Sequence, residues 1–150
     1  MARFPGIFPG LVLGAVAILS TTGCGGRADL GSVTGTITLD GQPLADAIVT
    51  FEPGVGGAPS RAITDAKGHY QLRYTRELLG AKVGEHVVSV STFRSANPDA
   101  EPPRPAVPEQ VPPRFNGDTE LRAEVGPGGN RIDFALRSTG PVPQPNLADY

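Results

Sequence analysis

The 150-residue chain has no tryptophan, one cysteine and two histidines. Each shortage removes a class of chemistry. Without Trp, and with aromatics at 6%, a sugar-stacking platform would have to come from very few rings, which counts against a carbohydrate-binding module. One cysteine, Cys24, allows no internal disulfide. His69 and His86 are the sole candidate imidazole bases or ligands, and they lack the His-x-x-x-His spacing of a helical zinc site. A triad needs a nucleophile, a base and an orienter, and its base would have to be one of these two. Neither metal nor cofactor is expected, and catalysis is not. Net charge is only −2, too mild to point to nucleic acid. Gly54-Val55-Gly56-Gly57 leads to Pro59 and not to a helix start, so it is no phosphate loop.

What is present begins at the amino terminus. Arg3 is the one charged side chain before residue 27, and Ile7 to Leu19 is apolar apart from glycine and proline. Leu19-Ser20-Thr21-Thr22-Gly23-Cys24 follows. A basic start, an apolar stretch and small residues form the three regions of an export signal. The stretch is shorter than the roughly 20 residues of a membrane span, and Pro5, Pro9, Gly10 and Gly14 interrupt it. A small residue directly before a cysteine at the cut point resembles the lipobox of bacterial lipoproteins. That resemblance implies residues 1–23 as signal peptide, cleavage after Gly23, and a diacylglycerol on the Cys24 thiol with acylation of the new amino terminus. It places the protein outside the cytoplasm, anchored in a membrane. Gly25, where some bacteria use a retention aspartate, favours the outer membrane slightly over the inner.

Beyond the signal, 24–31 reads as a polar tether, 32–137 carries the patterned sequence, and 138–150 is a Pro-containing tail. Gly 20 and Pro 16 imply many turns and few long helices. The patterned zone alternates with a period of two. Val33, Ile37 and Leu39 share a face, as do Ala47, Val49 and Phe51, then Tyr70, Leu72 and Tyr74, then Val88 and Val90. Leu121, Ala123 and Val125, then Ile132, Phe134 and Leu136, complete the set. Polar residues occupy the opposite parity, so each sheet is buried on one side, as in an antiparallel sandwich. With Arg61–Thr64 added, about seven strands result, the number of an immunoglobulin-like sandwich. Arg76–Leu79 is the one candidate for a helical turn. Residues 95–113 hold seven prolines and no apolar period. That pattern predicts an extended loop draped over the sandwich edge, with recognition of a partner as the alternative.

Several pieces in order resemble the carboxypeptidase-regulatory-like, transthyretin-related domains of bacterial lipoproteins. They are Val33-Thr34-Gly35-Thr36-Ile37, Asp40-Gly41-Gln42-Pro43-Leu44, Ala47 through Pro53, Thr64-Asp65-Ala66-Lys67-Gly68-His69-Tyr70, and Gly84 through Val90. Pro113-Arg114-Phe115-Asn116 and Asn130 through Leu136 extend the match. The resemblance implies a seven-stranded prealbumin-like sandwich and no chemistry. Transthyretin-fold hydrolases end in Tyr-Arg-Gly-Ser, whereas this chain ends Leu147-Ala148-Asp149-Tyr150. In intradiol dioxygenases, a related sandwich, tyrosines bind iron. Here Tyr70 and Tyr74 alternate inward with Leu72.

The polar motifs read as structural. Asp40-Gly41 is a tight turn, and Asp65 with Gly68 closes a hairpin turn. No further oxygen ligands follow Asp65 at calcium-loop spacing. His69 lies on the charged face of its strand, and His86 is expected half-buried at a sheet edge. The function these residues predict is a lipid-anchored module with a binding or structural role in the cell envelope. Its partners would be the membrane, through the anchor, and an envelope protein or polysaccharide. The rival readings are an enzyme or metal-dependent site on the same fold, and a carbohydrate-binding module.

Overall fold

The computed structural model describes residues 29–140. The expected signal segment 1–23, the expected lipid site Cys24, most of the expected tether and residues 141–150 lie outside the described residues. The rest is all-β. Two sheets pack face to face, as a sandwich requires.

The first sheet is built on β1 (Leu30–Leu39). Along one side of it lie β5 (His69–Gln71), β6 (Ala81–Lys82) and β2 (Gln42–Pro43), all antiparallel. Along the other run β9 (Gly128–Arg131) and β10 (Phe134–Leu136), both parallel to β1. The second sheet has the order β4-β3-β7-β8 and is antiparallel throughout. Its members are β3 (Ile48–Pro53), β4 (Ser60–Ile63), β7 (Gly84–Ser91) and β8 (Arg122–Val125). The parallel pairs correct the expectation of antiparallel sheets throughout. Alternation fixes which face a strand buries, but it carries no information about strand direction.

Strands β9 and β10 keep one register against β1 and are a single strand broken at Ile132 and Asp133. There the Asp133 carboxylate accepts the Thr36 N–H at 2.7 Å, in place of a ladder carbonyl. The described residues thus hold ten strands against the seven or so expected; the two-residue β2 and β6 and the break between β9 and β10 make the difference. β1 starts two residues earlier than the tether assignment allowed. Gly31 has no apolar side chain to reveal it, yet a Cβ there would collide with the Gly126 carbonyl. Glycine is what lets that turn close against β1. The anticipated helical turn at Arg76–Leu79 is instead a bend, held by Thr75 Oγ1 accepting the Glu77 and Leu78 N–H groups at 3.2 and 3.1 Å. Among the described residues the one helical element is a single 3-10 turn, η1 (Pro113–Phe115).

The core follows the predicted parity. Val33, Ile37, Val49, Phe51, Leu72, Val88 and Val90 are fully buried. Phe51 sits at the centre, its ring 6.3 Å from Tyr70, 5.7 Å from His86 and 6.2 Å from Phe134. Phe134 packs against this core but is only half-buried, because β10 lies at the sheet's edge. The tyrosine expectation divides similarly: Tyr70 is buried and Tyr74 half-buried. The Tyr70 hydroxyl donates to the Ile132 carbonyl at 2.6 Å. Burial, and then the negative Asp133, push its pKa up.

The Pro-rich stretch is an ordered arm and not a featureless loop. Its two limbs pair through reciprocal backbone bonds between Arg94 and Val107 and between Asn97 and Arg104. Its return to the sandwich is fastened by Glu109, 7% exposed. The carboxylate accepts from Ser91 Oγ at 2.5 Å, from the Thr92 N–H and hydroxyl, and from the N–H groups of Gln110 and Val111. Burial raises its pKa, but the Ser91, Thr92 and Val111 bonds outweigh burial and leave it below the usual range.

Candidate functional site

The turn predicted at Thr64–His69 forms as read. Asp65 Oδ1 accepts the N–H groups of Lys67 and His69 at 2.8 and 2.9 Å. Gly68 takes φ +76°, with its Cα packed against the Ile37 carbonyl. The His69 and Lys67 bonds, in that order, lower the pKa of Asp65. The strands that this turn joins do not form a hairpin, however. β4 belongs to the second sheet and β5 to the first.

They touch only at the two ends. Next to the turn, the Asp65 N–H donates to the His69 carbonyl at 2.9 Å; farther out, Arg61 and Arg73 exchange both backbone bonds at 3.0 and 2.9 Å. Midway stand Ile63 and Gln71, and no bridge joins them. Their backbone groups face this gap. In an antiparallel ladder bonded residues alternate sides; Thr64 bonds toward β3, and Leu72 and Gly68 toward β1. Thr64 fixes the end of β4 beside the turn: its buried hydroxyl donates to the Leu44 carbonyl at 2.6 Å and accepts the Ala47 N–H at 2.8 Å.

A hollow of about 760 Å³ lies over this gap. Arg61, Arg73, Ile63, Ile48, His69 and the Asp65 of the turn form its walls, and the inward-facing Ala62 and Tyr70 line it as well, so it reaches down between the strands. Ile63 is 59% exposed. Arg61 and Arg73 are directly opposite and share one face, where like charges repel. Among the described residues neither forms an ion pair. Arg76 is adjacent, its carbonyl accepting from Arg73 Nη1 at 3.2 Å. Ile48 also walls a second hollow, of about 620 Å³, lined by Arg94 and Arg104 beneath the Pro-rich arm.

The two histidines are not brought together. His69 is exposed in the first sheet, its Nδ1 3.6 Å from an Asp65 oxygen. His86 is in the second sheet and 2% exposed, not half-buried at an edge. Flanked by β3 and β8, its ring packs on Phe51. Its Nδ1 is 3.0 Å from the Gly84 carbonyl, and its buried Nε2 has no partner among the described residues. Burial lowers its pKa, with the Gly84 bond opposing. Among the described residues no three His, Cys, Asp or Glu side chains group as metal ligands.

Sequence reading put Arg73 on the outward parity of its strand and Arg61 at the start of a short extra strand, but did not pair them. The equal spacing of both arginines from the Asp65–His69 turn was the signal that could have done so. No family model, curated protein or solved structure matches the chain.

Proposed function

We propose that the protein is a lipid-anchored, extracytoplasmic module of the bacterial cell envelope, with a prealbumin-like sandwich that binds a partner and carries out no catalysis. The anchor rests on the Arg3-to-Cys24 segment, whose charge, apolar stretch and small residues before the cysteine suit export and acylation. The binding role rests on one observation. Two arginines stand directly opposite each other beside a hollow, and among the described residues neither is ion-paired, the one carboxylate of the lining, Asp65, lying against His69 at 3.6 Å. A repulsive pair of this kind is the arrangement expected of a site that receives its counter-charge from a ligand.

Leu30 follows Cys24 by six positions, a reach of about 20 Å at most. Anchoring would therefore hold the Leu30 end of β1 near the bilayer. The Pro-rich arm is attached beside Asp46 through Arg94 Nη2 donating to its carbonyl at 2.7 Å, toward the Leu39 end of β1. Two or three acyl chains on Cys24 suffice for stable attachment. Cys24→Ser tests the anchor. The variant should lose lipid labelling and leave the detergent phase on partition; unchanged partition contradicts it.

A further inference from the structure

We propose that the hollow between β4 and β5 binds an acidic peptide segment of a partner protein: a carboxylate on Arg61 and Arg73, a main-chain amide at the gap between Ile63 and Gln71, and a branched apolar side chain on Ile48 and Ile63. This rests on the binding role proposed above and names its ligand class.

Three features select a peptide over a simple anion. The opened ladder leaves Ile63 and Gln71 each with an N–H and a C=O facing the gap. Phosphate or a free carboxylate would accept from the N–H groups and leave both carbonyls unmet, whereas a peptide amide donates and accepts together. The volume of about 760 Å³ falls within the range of sites that enclose a compact ligand of several groups. The exposed Ile63 beside the arginines offers apolar contact to a residue flanking the acid. A lipid headgroup would need only the charge and would leave both the amide gap and the apolar wall unused.

The shared wall at Ile48 gives the segment a direction. From the Arg61–Arg73 pair it continues toward Arg104 under the Pro-rich arm, past Arg94, which is paired with Asp46 at 3.5 Å. Acidic residues spaced along an extended chain would meet cations at both ends.

The test is titration of the full chain, held in a neutral detergent, with acetyl-Val-Glu-Val-Glu-Val-amide, followed by calorimetry and by amide NMR shifts. Binding should move the Ile63 and Gln71 amides and weaken as salt is added. Arg61→Gln and Arg73→Gln should each weaken it at least about tenfold, as loss of a charge-assisted bond does. Both side chains are exposed, and relieving their repulsion should leave thermal stability unchanged or raised. Ile63→Glu, also at an exposed position, should abolish binding by repulsion.

The proposal is overturned by no binding, by equal binding of the lysine analogue acetyl-Val-Lys-Val-Lys-Val-amide, or by inorganic phosphate moving the same amides at the same concentration. Association with phosphatidylglycerol vesicles in place of the peptide also overturns it. Cys24→Ser should bind the peptide normally, so failure of the anchor and failure of this site read out separately.

Discussion

Glu109 is a buried carboxylate on which the return of the Pro-rich arm depends. Its carboxylate is buried and held by hydroxyl and backbone donors from both sides of the arm's return. Replacing it with Gln keeps the shape but turns one acceptor into a donor facing N–H groups, at a cost of about 1–3 kcal/mol. The pH dependence has a definite sign. Its folded pKa lies below the unfolded value, so its contribution is fully present above the unfolded pKa and is lost as pH falls through the folded one. Urea unfolding of the wild type should therefore show stability falling in acid, and Glu109→Gln should flatten that fall. An equally steep loss in the variant would contradict the assignment. Asn130 is the second such residue. Its Nδ2 donates to the carbonyls of Ser32, Gly126 and Gly128 at 3.1, 2.9 and 3.3 Å, and its Oδ1 accepts the Gly126 N–H at 2.9 Å. Asn130→Asp puts an acceptor against those carbonyls and should cost about 1–3 kcal/mol, measured by the same unfolding. A loss below about 0.5 kcal/mol, the range of ordinary surface changes, would remove Asn130 as the staple of that turn.

At the scale of the element, burial ranks the aromatic residues. Phe51, fully enclosed between the sheets, should cost about 3–5 kcal/mol on truncation to alanine. Phe134→Ala should cost clearly less, since its ring is half-buried at the edge strand. Equal losses in chemical denaturation would mean that the edge position of β10 is wrong. The Pro-rich arm makes a separate prediction. The amides of Arg94, Asn97, Arg104 and Val107 are all bonded across it, so their hydrogen exchange should be slowed relative to free peptide. Exchange at the free-peptide rate would return this segment to a loose loop. Much at this scale was legible beforehand. Alternation marked the buried faces of β1, β3, β5, β7 and β10, and Asp-Gly and Asp65–Gly68 marked turns. What was hidden depended on long-range pairing or on residues without a pattern. β9 reads Gly-Gly-Asn-Arg, which has no strand signature, and it exists because β1 offers it a ladder. Glu109 is an acid among prolines, and nothing local says that it turns inward. Arg73 had a legible parity, but its opposition to Arg61 needs β4 and β5 to be placed first.

At the scale of the whole molecule, a sandwich with one sheet centred on β1 stands six residues from a cysteine suited to acylation. Its hollow opens between the two sheets, and the arm lies toward the Leu39 end of β1. The account joins these into one claim, that the mature protein begins at an acylated Cys24 and presents the sandwich to an envelope partner. The most direct test is mass spectrometry of the amino-terminal proteolytic fragment of the protein from its native membrane. The account predicts a fragment that starts at Cys24 and carries a diacylglyceryl thioether with an acylated amine. A fragment that starts elsewhere, or one whose Cys24 thiol is free, would contradict it.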